Sequence, residues 1–392
     1  MGLEENRPPE DAAALTDGKR WLWPLGYSMI AITPLLAIAL WYGTGGHPLT
    51  LLLPLLVTFA VLPLIDAVVG EDHNNLSEEM LNAISRDRFY AWAVYAVIPL
   101  GYVVFITALA FVVRQEPPLW ASLFFVVGTG TLSGSMITIG HELGHKTDPA
   151  DRLMAKVALG AVGYGHFTAE HNLGHHKNVS TPEDCASGRL GESVYVFATR
   201  ELPGALKGAW AIERKKLERR GQPVWSRHNE ILQTDAITAL VGALLVVTLG
   251  IEVLPWLILH HFTAWFALTL VNYIEHYGLA RQRRENGRYE PCEPRHSWNA
   301  NHIVSNLVQF HLQRHSDHHA HPARPYQSLR SFEDSPQLPT GYPGCMVMAM
   351  IPPLWFQVMD PKVVRWAKGD LQRTNLHAPA KGRLQARFEV SV

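Results

Sequence analysis

Six uncharged apolar runs constrain this chain more than any other feature. They cover residues 21–42, 48–65, 90–113, 117–140, 236–251 and 254–274. A helix needs about 20 apolar residues to cross about 30 Å of hydrocarbon, so each run predicts a membrane span, the fifth being the shortest. Prolines inside the first two runs are compatible with this, because neighbouring helices can re-satisfy the freed carbonyls. Basic residues test the arrangement, since they accumulate on the cytoplasmic side. With six spans every Lys and Arg except Arg114 falls on one side, from Arg7, Lys19 and Arg20 through Arg86 and Arg88 to the two long polar stretches.

The expected organisation follows. Residues 1–20 form a cytoplasmic N-terminal segment, and 21–140 hold transmembrane helices one to four. Residues 141–235 form a cytoplasmic region, 236–274 hold helices five and six, and 275–392 form a C-terminal cytoplasmic region. Apolar spans and polar caps cancel in the mean hydropathy of 0.00. Two further apolar stretches, 157–167 and 345–359, are too short to cross; they are expected in the core of the cap, the alternative being a dip into the interface. The opening residues, MGLEENRPPEDAAALTDGKR, are polar and acidic, and predict no secretory signal.

Several functions are disfavoured at once. A formal net charge of −1, from 34 basic and 35 acidic residues, argues against a nucleic-acid surface. A transporter or channel, the ordinary job of such a bundle, usually needs an ionisable group inside the hydrocarbon, and none lies well inside these runs. No inverted repeat is visible either. An apolar interior suits an apolar ligand. The three cysteines, Cys185, Cys292 and Cys345, form no C-x-x-C pair, which disfavours disulfide, zinc-thiolate and cysteine-bound iron frameworks.

The chemistry rests on 20 histidines. They gather as HELGH (His141, Glu142, His145), EHNLGHH (Glu170, His171, His175, His176), IEH (Glu275, His276) and HSDHH (His315, Asp317, His318, His319). Residues four apart on a helix share a face, so His141 with His145, and His171 with His175, can hold one metal jointly or point at adjacent metals. His141 follows the fourth span and His276 the sixth, which gives the clusters a common floor at the cytoplasmic membrane surface. A lone histidine is ordinarily a satisfied core or surface group; nine in four carboxylate-flanked clusters are better explained as ligands. His260 and His261 lie about 22 Å up the helix from His276 and, with His47, are expected at the opposite face. His311 is the best tenth candidate, followed by His166, His296 and His302; His73, His228, His321 and His377 read as surface residues. Nine imidazoles exceed the ligand capacity of one ion, so two metals are implied, and nitrogen ligands with open positions suit iron. Glu142, Glu170, Asp184, Glu275, His311 and Asp317 are candidates to orient these ligands.

HELGH is also a literal H-E-x-x-H, the zinc-protease signature. An intramembrane metalloprotease would leave six of the nine histidines unexplained.

HELGHK at 141–146, EHNLGHH at 170–176, NYIEHYGL at 272–279, HSWN at 296–299, NHIVSN at 301–306 and LQRHSDHHAHP at 312–322 resemble the histidine-rich membrane di-iron family of desaturases and hydroxylases. The chain is most similar to that family's alkane-hydroxylating members, from about Trp21 to Asp370. The resemblance implies an all-α integral membrane protein whose mostly helical cytoplasmic cap holds a histidine-ligated di-iron site. It implies ligands at His141, His145, His171, His175, His176, His276, His315, His318 and His319. It further implies O2-dependent hydroxylation of the terminal methyl of a medium- or long-chain n-alkane, in the lipid bilayer of a bacterial inner membrane. Electrons would come from rubredoxin, served upstream by rubredoxin reductase, and without C-x-x-C pairs the donor is a separate protein or a part removed. An acidic carrier requires a basic docking patch, with Arg214, Lys215, Lys216, Arg219 and Arg220, or Arg281, Arg283 and Arg284, as candidates. A fatty-acyl desaturase or hydroxylase is the related alternative. An unactivated C–H bond offers nothing to an acid, base or nucleophile, so the metals must supply the reactivity and the protein position and dryness. A narrow apolar channel would select the chain end, each buried methylene contributing ~0.8 kcal/mol.

Overall fold

The computed structural model describes residues 17–85 and 87–388. Most of the N-terminal segment, with Arg7, and also Arg86, lies outside the described residues. Among the described residues the fold is helical, with isolated bridges and no strands. Five helices are long and apolar enough to span a membrane: α3 (Pro48–Val69), α4 (Arg88–Gln115), Leu119–Gly144, α10 (Glu230–Leu249) and α11 (Val253–His276). A sixth candidate is the pair α1 (Leu22–Ala31) and α2 (Thr33–Gly43), with Leu22–Ser28 of α1 bent by 47° from α2.

Local sequence sets the ends of these helices. The Asp87 carboxylate accepts from Phe89 N to start α4, and Asn229 Oδ1 accepts from Ile231 N and Leu232 N to start α10. Gly250, at φ +84°, ends α10 in a conformation glycine adopts without strain. Leu119–Gly144 divides at Gly134 into α5 (Leu119–Ser133) and α6 (Ser135–Gly144). Capping by Asn229 starts the fifth run's helix at Glu230, six residues before residue 236, and His141 lies in the last turn of α6 rather than beyond the span.

The outer faces are apolar. Val68 is 86% exposed and Val247 82%, an arrangement that costs free energy in water and little in hydrocarbon. Inside, α5 crosses α11 closely because Gly130 has no side chain; a Cβ there would stand 2.6 Å from the His260 carbonyl oxygen.

Both short apolar stretches enter the bundle. Residues 157–167 lie in and after α7 (Pro149–Gly160), which folds back along α6. The Tyr102 hydroxyl, midway along α4, donates to Val157 O, and the Trp265 indole of α11 donates to Val162 O. This segment is core, but core of the bundle rather than of a separate cap. Residues 345–359 form the corner of a hairpin between α13 (Tyr342–Ala349) and α14 (Pro352–Trp366), with α13 wedged against α3 and α11. His260 also departs from expectation. It is enclosed in the bundle, stacked on Phe105 and bonded to Ser133 Oγ at 2.8 Å, rather than placed at an outer surface.

Candidate metal centre

Four segments meet at one end of the bundle. His141 projects from the last turn of α6 with His145 just beyond it, and His276 is the last residue of α11. α8 (167–178) carries His171, His175 and His176, and α12 (His315–Ala320) carries His315, His318 and His319. The middle of α8, His171–His175, is a π-turn. That turn changes the pairing. On an α-helix His171 would share a face with His175, whereas the i to i+5 geometry of a π-turn brings His171 onto His176, with Nε2 atoms 3.0 Å apart, and turns His175 away.

The nine predicted histidines all arrive here, in two groups. His141, His145, His171, His176 and His318 form one, and His175, His276, His315 and His319 the other; within each, one donor nitrogen per residue lies within 4.8 Å of the rest. The groups adjoin, with the His176 and His319 rings 4.5 Å apart. In the first, His318 Nε2 lies 2.9 Å from His141 Nε2 and 3.1 Å from His176 Nε2. In the second, His319 Nε2 lies 2.8 Å from His315 Nε2 and 3.3 Å from His175 Nε2, and His315 Nε2 lies 3.2 Å from His276 Nε2.

These spacings fit bound cations. A neutral ring nitrogen either donates or accepts, so a converging set cannot satisfy itself by hydrogen bonding. Two nitrogens at right angles around one ion, each at ~2.1 Å, stand about 3.0 Å apart. His145 Nε2 is buried with no hydrogen-bond partner, as a ligand aimed at a cation would be. Burial first, then neighbouring imidazoles, holds His171, His315, His318 and His319 well below the usual imidazole range, and burial with Lys146 brings His145 down to about 4. They are therefore neutral near pH 7, the ligating form. His175 differs: burial opposes its charge, but the Asp184 carboxylate outweighs this and raises its pKa.

The carboxylates separate into those that touch the imidazoles and those that do not. Asp184 Oδ2 lies 3.0 Å from His175 Nδ1 and accepts from Ser187 Oγ at 2.5 Å, which fixes the ring with Nε2 facing inward. Glu275 Oε1 accepts from Tyr342 OH at 2.7 Å, while Oε2 stands 3.2 Å from His315 Nε2. Glu275 therefore faces the converging nitrogen itself, not the outer one that an orienting group would hold. Glu142 instead pairs with Lys146 at 2.8 Å, as expected of a surface i,i+4 pair. Asp317 is bound to Arg324 at 2.9 Å and to Arg330, which anchors the loop after α12. Glu170 lies against Cys185 at 3.8 Å. His311 bonds to Tyr326 O and packs on Trp23, outside both groups. His166, His296 and His302 also stand outside them; His296 is held by Glu290 at 3.0 Å.

Comparison with known proteins agrees with this geometry. A family model described as fatty acid desaturase matches residues 118–347, a stretch that contains all nine histidines. An alkane 1-monooxygenase of Ectopseudomonas oleovorans is 49% identical over 95% of this chain and 93% of its own length. One from Pseudomonas putida is 46% identical over 98% and 95%, and alkane 1-monooxygenase 1 of Alcanivorax borkumensis 42% over 99% and 95%. The chain belongs to the fatty acid desaturase family and its alkane 1-monooxygenase branch.

Two features of this family member bear on its use of the centre. A cavity of about 20 Å3, room for one methyl group or water, opens onto His141, His171, His315 and Glu275, with Ile137, Leu268, Val271 and Leu312 among its apolar walls. On the other side, His145 and His176 are the only half-buried members of the two groups, the remaining seven being buried. Arg281 crosses to this edge, donating to Lys177 O at 3.0 Å and Val179 O at 3.4 Å. Arg283 is paired with Glu183 at 2.8 Å, while Arg284 is exposed. In the other basic run, Arg214 pairs with Glu218 and Lys216 with Glu213 and Glu230, leaving Lys215, Arg219 and Arg220 exposed at the end of α9 (Val194–Arg219).

Proposed function

We propose that this protein is a membrane di-iron monooxygenase that hydroxylates the terminal methyl of medium- or long-chain n-alkanes. The balanced reaction is RH + O2 + 2e− + 2H+ → ROH + H2O, with electrons from reduced rubredoxin supplied by its reductase. The observation that carries the reading is the division of nine imidazoles into groups of five and four beneath an apolar cavity. The names of its relatives supply the substrate class.

Two irons held by these groups would supply the redox chemistry of dioxygen that an unactivated C–H bond requires. Glu275 Oε2 is placed to add an oxygen ligand to the four-imidazole group. The chain's own contribution is position and dryness. Asp184 fixes His175, while Ile137, Leu268, Val271 and Leu312 exclude water where the terminal methyl would sit. Both termini, the metal centre and the basic surfaces lie on the cytoplasmic side of the bacterial inner membrane in this reading. Supplying membranes with reduced rubredoxin, O2 and n-octane should yield 1-octanol by gas chromatography, with about two irons per chain. One zinc and no alcohol would return the H-E-x-x-H protease reading, although Glu142, its general base, is occupied by Lys146. An unsaturated or hydroxylated fatty-acyl product would place the chain with the desaturases, the reading the matched family's name favours.

Of the two candidate docking patches, this reading favours the one around Arg281 and Arg284. Arg281 is tied to the C-terminal end of α8, just after His176, at the edge where the five-imidazole group is least buried, which would make this side the shorter entry for electrons. Reversing Lys177 and Arg284 to Glu should raise the KM for rubredoxin roughly tenfold at low ionic strength and leave iron unchanged, the effect fading as salt screens it. A larger effect from Arg219→Glu with Arg220→Glu would move docking to the end of α9.

A further inference from the structure

Asn272 stands in the wall of the cavity above the imidazoles, beside Glu275 and four residues before His276. Its amide is not free to turn. Glu201, on α9, is 1% exposed; it receives Thr269 Oγ1 on Oε2 at 2.8 Å and Asn272 Nδ2 on Oε1 at 3.2 Å. Burial raises the Glu201 carboxyl to about 7, while the two hydrogen bonds it accepts favour the ionised form; above that pH the carboxylate accepts and never donates, so it fixes which end of the amide faces it. The amide nitrogen is committed to Glu201, and the carbonyl oxygen is left as the free end. Among the described residues no donor reaches Asn272 Oδ1. The neighbouring Glu275 is already engaged, with Tyr342 on one oxygen and His315 beside the other.

We infer that Asn272 Oδ1 is a subsite for a chain end carrying a hydroxyl donor, with Glu201 as its positioning residue. The inference rests on the alkane-hydroxylase reading and adds a second ligand class to the same cavity, the primary alkanol. An alkane terminus has no donor and leaves Oδ1 unbonded. A primary alcohol of the same length presents an O–H to Oδ1 and gains one hydrogen bond. The site therefore distinguishes product from substrate, and holds the product before release.

Competitive inhibition of n-octane hydroxylation separates this from simple chain binding. In the unsubstituted enzyme 1-octanol should inhibit about three- to tenfold more strongly than octanenitrile, a linear ligand of similar length that accepts but cannot donate; the ratio is that of one neutral hydrogen bond. Glu201→Gln removes the constraint, because a Gln amide can hold Asn272 in either sense. The preference should then fall to within about twofold while the KM for n-octane stays within a similar factor. Thermal shifts of the metal-free protein with the same two ligands give a second readout that needs no turnover. Equal inhibition by alcohol and nitrile in the unsubstituted enzyme overturns the inference, and that comparison stands even if the variant fails to fold. A preference that survives Glu201→Gln removes Glu201 from its role. Absence of n-octane turnover in the unsubstituted enzyme would instead count against the function on which the inference rests.

Discussion

His315→Ala should reduce 1-octanol formation to background and lower bound iron from about two per chain to about one. His315 Nε2 contacts the Nε2 atoms of both His276 and His319 and lies 3.2 Å from Glu275 Oε2, so its loss opens the four-imidazole group at its centre. Three nitrogens remain there, while the five-imidazole group is untouched. His318→Ala makes the complementary test. It leaves four imidazoles in the larger group, so iron retention should exceed that of His315→Ala even though His318 touches two partners. Metal analysis by plasma mass spectrometry beside product analysis separates the cases. A His315→Ala protein with full activity and full iron would refute the ligand assignment.

Asp184→Ala should cost 10- to 100-fold in turnover or iron affinity, the usual range for a group that orients a ligating histidine. Asp184 is buried, bonds His175 Nδ1 at 3.0 Å and is itself fixed by Ser187 Oγ and by Ala186 N at 3.1 Å. Removing it frees the ring to rotate and strips the carboxylate that raises its proton affinity. Glu142→Ala is the contrasting variant, because Glu142 binds Lys146 and none of the imidazoles; turnover should stay within about twofold. Equal losses from the two variants would mean that charge near the site, rather than ring orientation, is what matters.

Much of this architecture was legible because it depends on composition along the chain. The apolar runs near 90–113 and 254–274 reappear as Arg88–Gln115 and Val253–His276, since an uncharged stretch of that length has few other ways to satisfy its backbone. The histidine clusters were visible for a related reason: repeated ligand-type residues at helical spacing stand out without any knowledge of the fold. The carboxylates were not resolved. Glu142, Glu170, Glu275 and Asp317 lie in or beside a cluster in sequence and Asp184 eight residues after one, but only Asp184 and Glu275 reach an imidazole of the two groups. Proximity in sequence says nothing about which side of a helix end a side chain leaves from. His311 misled for the same reason. Its spacing from His315 suits a helix, but positive φ at Phe310 and His311 turns the chain before α12 begins.

By itself the sequence determined that this chain is apolar helices joined by polar segments, and that nine histidines, more than one metal ion can take, are available where those segments meet. Those conclusions follow from residue type and spacing, which folding cannot alter. Only the tertiary structure decided the partition. A π-turn moved His175 to the four-imidazole group and His176 to the five, a change of one residue in hydrogen-bond register that spacing does not encode. It likewise decided that Glu275 faces the imidazoles, that α7 returns into the bundle, and that Glu201, over 70 residues before Asn272, holds its amide. Each is a contact between segments remote in sequence, set by how helices pack rather than by what any one of them contains.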